Sequence, residues 1–131
     1  MTASVLVVDD HPTWRTALAD LLQRKGTNVV GKAADGDEAV EAAEMLQPDV
    51  VLMDFDMPTV DGVEATRRII AGGSGARVLM LSGVTDRATM RAAAAAGASG
   101  YLVKSTPMAE IATAIARVAR GEREFPDGVL P

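Results

Sequence analysis

The chain of 131 residues is long enough for one domain with one hydrophobic core, and its 48% hydrophobic residues suffice to fill that core. Its 18 acidic and 13 basic side chains give a net charge of −5 with no basic run or stripe, which argues against nucleic-acid binding by this chain alone. Cysteine is absent, so disulfides and thiolate metal sites are excluded. With no signal-like N-terminus and no membrane-length apolar stretch, the reading is a cytoplasmic protein without membrane contact.

Apolar runs of strand length alternate with segments of helical period along the chain. Ser4 to Val8 predicts the first strand. Pro12 to Lys25 predicts the first helix, opened by proline, striped by Leu18, Leu21 and Leu22, and stopped at Gly26. A strand over Asn28 to Ala33 and an Ala- and Glu-rich helix over Gly36 to Leu46 come next, the helix ending before Pro48. Val50 to Met53 is the third strand, and Val63 to Ala71 the third helix. The fourth pair is Arg77 to Leu81 with Asp86 to Ala96; the fifth is Gly100 to Val103 with Pro107 to Arg120, for which Thr106 offers an N-cap. The closing GEREFPDGVLP loses the alternation, so residues 1–120 read as the domain and 121–131 as a tail or the start of a linker.

Five strand-helix units in strict alternation predict an α/β fold: a doubly wound, five-stranded parallel sheet, (βα)5, with helices on both faces. In the flavodoxin-like order 2-1-3-4-5, strand order reverses between strands one and three, and open sheets bind ligands at the carboxyl ends of the strands there. Asp9 and Asp10 follow the first strand, and Asp54 follows the third. Any one of these acids alone reads as a solvated strand end. Three of them at one switch point need a cation, and oxygen ligands of this kind suit Mg²⁺, which shares its shell readily with phosphate. Asp54 is the candidate nucleophile, because a carboxylate can accept a phosphoryl group as an acyl phosphate. Two residues on, the backbone carbonyl of Asp56 could also reach the metal. Ser82 and Lys104 close the fourth and fifth strands at the same edge, where a hydroxyl and an ammonium would meet phosphoryl oxygens. Gly83 leaves backbone room beside them.

The set Asp9-Asp10, Asp54 with Met57-Pro58, Ser82-Gly83 and Gly100-Tyr101-Leu102-Val103-Lys104 resembles the receiver domain of two-component response regulators, over roughly residues 3 to 120. DDHP at 9 to 12, ADGDEAV at 34 to 40 and GYLVKS at 100 to 105 resemble the NarL/FixJ-type subfamily in particular. The resemblance implies that Asp54 takes a phosphoryl group from the phosphohistidine of a sensor histidine kinase. Asp9, Asp10, Asp54 and the Asp56 carbonyl would bind Mg²⁺, with Lys104 and Ser82 on the phosphoryl oxygens. Ser82 would move toward the phosphate and Tyr101 turn inward, altering the surface of the fourth helix, fifth strand and fifth helix. A homodimer formed on phosphorylation fits this scheme. Transcription control would run through a helix-turn-helix domain that is not in these residues, and DNA would be met only there; a free-standing receiver acting through proteins is the alternative.

Departures from the pattern matter too. Ser105 follows Lys104 where many receivers have proline. Val84 offers no group to position a hydrolytic water, and Asp56 would misplace one. Slow self-dephosphorylation is therefore expected: a phospho-Asp54 lifetime of seconds instead of many minutes would refute it. Asp54-Phe55-Asp56, with Thr59-Val60 after it, also resembles the nucleophile motif of haloacid-dehalogenase-type phosphatases, but there it follows the first strand. His11 reads as a helix-entry residue, Trp14 as partly buried or, about equally, as a contact for a partner kinase, while Gly72 to Gly75 lacks the lysine of a phosphate loop.

Overall fold

A computed structural model describes residues 2–57 and 61–130, so Pro58, Thr59 and Val60 lie outside the described residues. Five strands alternate with five helices: β1 (Ser4–Val8), α1 (Pro12–Arg24), β2 (Asn28–Ala33), α2 (Gly36–Leu46), β3 (Val50–Asp54), α3 (Gly62–Ala71), β4 (Arg77–Ser82), α4 (Arg87–Ala95), β5 (Gly100–Val103) and α5 (Met108–Ala119). The strands form one parallel sheet in the order β2-β1-β3-β4-β5, as the sequence predicts. Element bounds differ from expectation by a residue at most. One cap differs: Thr106 does not cap α5, because the helix starts at Met108, so Pro107 takes the N-cap place and Thr106 lies one position before it.

Period-two alternation in the central strands divides the core into two layers. Val5 and Val7 of β1, Val50 and Leu52 of β3, and Leu79 and Leu81 of β4 pack against Leu18 and Leu22 of α1 and Ile111, Ile115 and Val118 of α5. Leu6, Val8, Val51, Met53, Val78 and Met80 face the other way, toward Ala39 and Ala43 of α2, Ala65 and Ile69 of α3, and Met90 and Ala93 of α4. Burying each large apolar side chain contributes about 1.5–3 kcal/mol, so the three central strands are fixed in register by both layers at once. Acidic caps start three helices: Asp35, Asp61 and Asp86 accept the backbone N–H of Glu38, Glu64 and Ala88 at 2.8, 2.8 and 3.2 Å.

Residues 122–130 do not stand off the domain. They return along β5, where Gly100 and Glu124 form a parallel bridge, and Val129 ends buried in the same layer as Met90 and Ala93. Phe125 packs on that layer as well. No helix among the described residues is long and apolar enough to cross a membrane.

Candidate functional site

Sheet register brings the acids together. Val8 pairs with Met53, so Asp9 and Asp54, the next residues on the two strands, leave the sheet side by side. Phe55 N–H donates to the Leu81 carbonyl at 3.1 Å and Lys104 N–H to the Ser82 carbonyl at 2.8 Å, which ties the ends of β3, β4 and β5 into one rim. Asp9, Asp54 and Ser82 are buried there, with Asp10 half-buried.

One ligand oxygen or nitrogen from each of Asp9, Asp10, His11 and Asp54 falls within a span of 4.8 Å. His11 is the N-cap of α1, as its place before Pro12 predicts; its N–H donates to Asp9 Oδ1 at 2.8 Å, and its ring Nδ1 lies 3.1 Å from Asp10 Oδ1. That ring contact is a distance only. Asp10 Oδ1 is left without a hydrogen bond, as is Asp54 Oδ2. Two buried carboxylate oxygens without donors are costly unless a cation satisfies them, so the donor set fits a hard divalent ion.

Asp54 Oδ1 is held from two sides: the Lys104 ammonium lies 3.0 Å away and the Asp56 N–H donates at 2.9 Å. Burial pushes the Asp54 carboxyl above the ordinary aspartate value, against the lowering pull of the Asp56 N–H and Lys104, and the Asp9 charge adds to the rise. For Lys104 burial works against the charge. Its hydrogen bond to Asp54 and the fields of Asp54, Asp56 and Asp9 outweigh this and raise its pKa.

Ser82 does not reach Asp54. Its hydroxyl donates to the Asp56 carboxylate at 3.2 Å, Gly83 N–H donates to the same group at 3.3 Å, and Lys104 Nζ stands 3.5 Å from it. The Asp56 side chain thus gathers the donors that the sequence reading assigns to a phosphoryl group, a role that reading did not give it. Only its position two residues after Asp54 could have signalled this. Around Gly83 the space is open, with Asp56 Oδ2 the nearest atom, 4.0 Å from where a Cβ would stand. From Ser82 the bonding continues: Val84 N–H donates to the Ser82 hydroxyl at 3.0 Å, and the buried Tyr101 hydroxyl donates to the Val84 carbonyl at 2.8 Å. Tyr101 is already turned inward.

Residues 5–116 match the response regulator receiver domain family. The chain belongs to that family. This receiver is 39% identical over 131 residues to the response regulator protein VraR of Staphylococcus aureus, covering 99% of this chain but 63% of that protein. Among solved structures it is similar to a LuxR-family two-component response regulator from Aurantimonas sp. SI85-9A1, with TM-score 0.91 and 38% identity over 98% of this chain and 93% of the other. It is also similar to the response regulator domain of Thermotoga maritima CheB, with TM-score 0.78 and 34% identity over 92% and 96% of the two chains. LuxR-family relatives agree with the NarL/FixJ-type resemblance. With the receiver family shown and Asp54 at the end of the third strand, the haloacid-dehalogenase alternative has no support.

Proposed function

We propose that this receiver is a phosphorylation switch in which Asp54 takes a phosphoryl group from the phosphohistidine of a sensor histidine kinase. One observation carries the reading: a buried carboxylate with one oxygen held by Lys104 and the other unpartnered, set against two further acids. An Asp54 oxygen attacks phosphorus and forms the acyl-phosphate bond as the donor P–N bond breaks, its electron pair returning to the imidazole. From acetyl phosphate, a P–O bond breaks instead and acetate leaves. Asp9, Asp10, Asp54 and the Asp56 carbonyl would hold Mg²⁺, which when bound neutralises charge on the phosphoryl oxygens. Lys104 stands ready to pair with those oxygens and Ser82 to donate to them once the Asp56 carboxylate gives way. Transcription control through a helix-turn-helix domain, reached by phosphorylation-linked homodimerisation, completes the proposal, and a cytoplasmic location goes with it. Incubation with acetyl phosphate and Mg²⁺ tests it: intact mass should rise by one phosphoryl group, mapped to Asp54, and an unchanged mass would refute it.

Two further outcomes are expected at the same site. Mg²⁺ at 100-fold excess over its dissociation constant should stabilise the folded chain by about 2.7 kcal/mol in chemical denaturation. Asp9→Asn and Asp10→Asn should each remove most of that increment. The second outcome concerns the pH dependence of stability without Mg²⁺. Burial raises the Asp54 pKa in the metal-free chain, so folding favours the protonated carboxyl. Its contribution to stability is full below the ordinary aspartate pKa and is lost as pH rises through the raised value. Chemical denaturation across this range checks it: Asp54→Asn should remove that part of the pH dependence, and a variant with the same profile as wild type would contradict the burial argument.

A further inference from the structure

We propose that residues 122–130 are a strap, seated on β5 and the start of α4, that phosphorylation of Asp54 locks down. The inference rests on the reading of Asp54 as the phosphoacceptor.

Three sets of contacts seat the strap. Along β5, Tyr101 N–H donates to the Glu124 carbonyl at 2.8 Å and Glu124 N–H to the Ser99 carbonyl at 3.0 Å. This approach is close enough to require glycine at position 100, where a Cβ would lie 2.9 Å from Glu124 Cβ and 3.0 Å from its carbonyl oxygen. Beneath the strap, Phe125 and Val129 join the core layer that contains Tyr101, Met90 and Ala93. At its far end the Arg87 guanidinium, on the first residue of α4, donates to the Asp127 carbonyl at 2.7 Å. The chain turns there through Gly128, at φ 83°, whose missing Cβ leaves room for Arg87 Nη1 3.0 Å away.

The anchors connect to Ser82, at the rim beside the phosphoacceptor. Tyr101 is held at both ends: its backbone carries the strap, and its hydroxyl is bound to Val84, which is bound in turn to Ser82. Arg87 lies five residues beyond Ser82 on the same connection. The strap therefore sits on the arrangement in which Ser82 is drawn toward the site and Tyr101 is buried. In the unmodified chain one half-exposed carboxylate, Asp56, draws Ser82 and Lys104 in. A phosphoryl group brings about −1.5 to −2 charges and three acceptor oxygens to the same donors, so it holds that arrangement more firmly. The strap is the natural reader of the change, since it is the chain's own continuation from α5.

Hydrogen exchange read by mass spectrometry on the full chain, with and without acetyl phosphate and Mg²⁺, tests this, with intact mass recording phosphorylation. At the Glu124 and Val129 amides, exchange should slow by about fivefold or more on phosphorylation, the lower range of allosteric couplings. Arg87→Ala should take up the phosphoryl group to the same extent yet exchange rapidly in the strap in both states, and Arg87→Lys should restore part of the protection. Absence of any mass increment would overturn the phosphoacceptor reading and the strap with it. A normal increment with unchanged or faster strap exchange, or an Arg87→Ala strap as protected as wild type, would overturn the strap alone.

Discussion

Replacing Asp54 by Asn is expected to abolish phosphoryl uptake from acetyl phosphate while leaving the fold intact. The amide cannot form an acyl phosphate, yet it fills the same volume at the end of β3. Burial already disfavours the Asp54 charge, so the neutral variant should melt no lower than wild type at neutral pH. Its signature is dual: no mass increment under conditions that fully modify wild type, and an unchanged far-ultraviolet circular dichroism spectrum. A variant that still gains one phosphoryl group would move the site elsewhere, and the next candidate on this rim is Asp56.

Lys104→Ala should reduce the phosphorylation rate by about 10²- to 10³-fold, the usual loss when one preorganised donor to developing oxyanion charge is removed. Among the described residues Lys104 is the one ammonium paired with these acids, 3.0 Å from Asp54 and 3.5 Å from Asp56. Its raised pKa keeps it charged throughout the neutral range, and its stabilising contribution is lost only as pH rises beyond the ordinary lysine value. Arginine at this position should recover part of the rate because charge matters more than shape for a partly exposed partner. Stopped-flow measurement with acetyl phosphate distinguishes the two variants, and a Lys104→Ala rate within threefold of wild type would remove Lys104 from the mechanism.

Much of this was legible in the sequence because the determinants are local. Uninterrupted apolar runs such as VLVV and VVLM mark strands buried on both faces, and strict alternation with helices fixes a parallel order. Once that order is known, Asp9, Asp54, Ser82 and Lys104 must share an edge. What was not legible depends on paths taken by irregular chain. The Asp56 carboxylate meets Ser82 and Gly83 through a turn after β3 that carries no periodic signal. Likewise Phe125 and Val129 are single apolar residues among prolines and glycines, so no pattern announces that they enter the core. Thr106 failed as a cap for a similar reason: the turn before α5 carries no periodic signal, and the helix starts one residue later than the sequence suggests, at Met108.

The seating of α4 sets the scale on which such a switch operates. Of its nine residues only Met90 and Ala93 are buried, so burial against the sheet holds this helix by roughly 2–4 kcal/mol. Moving a two-state equilibrium from 1:99 to 99:1 takes about 5.5 kcal/mol. A helix gripped this lightly costs less to shift than α5, which has four buried side chains. In the proposed switch, the run of alanines that looks like mere helix filler in the sequence would act as a ballast setting, keeping α4 light enough for a single chemical event to tip.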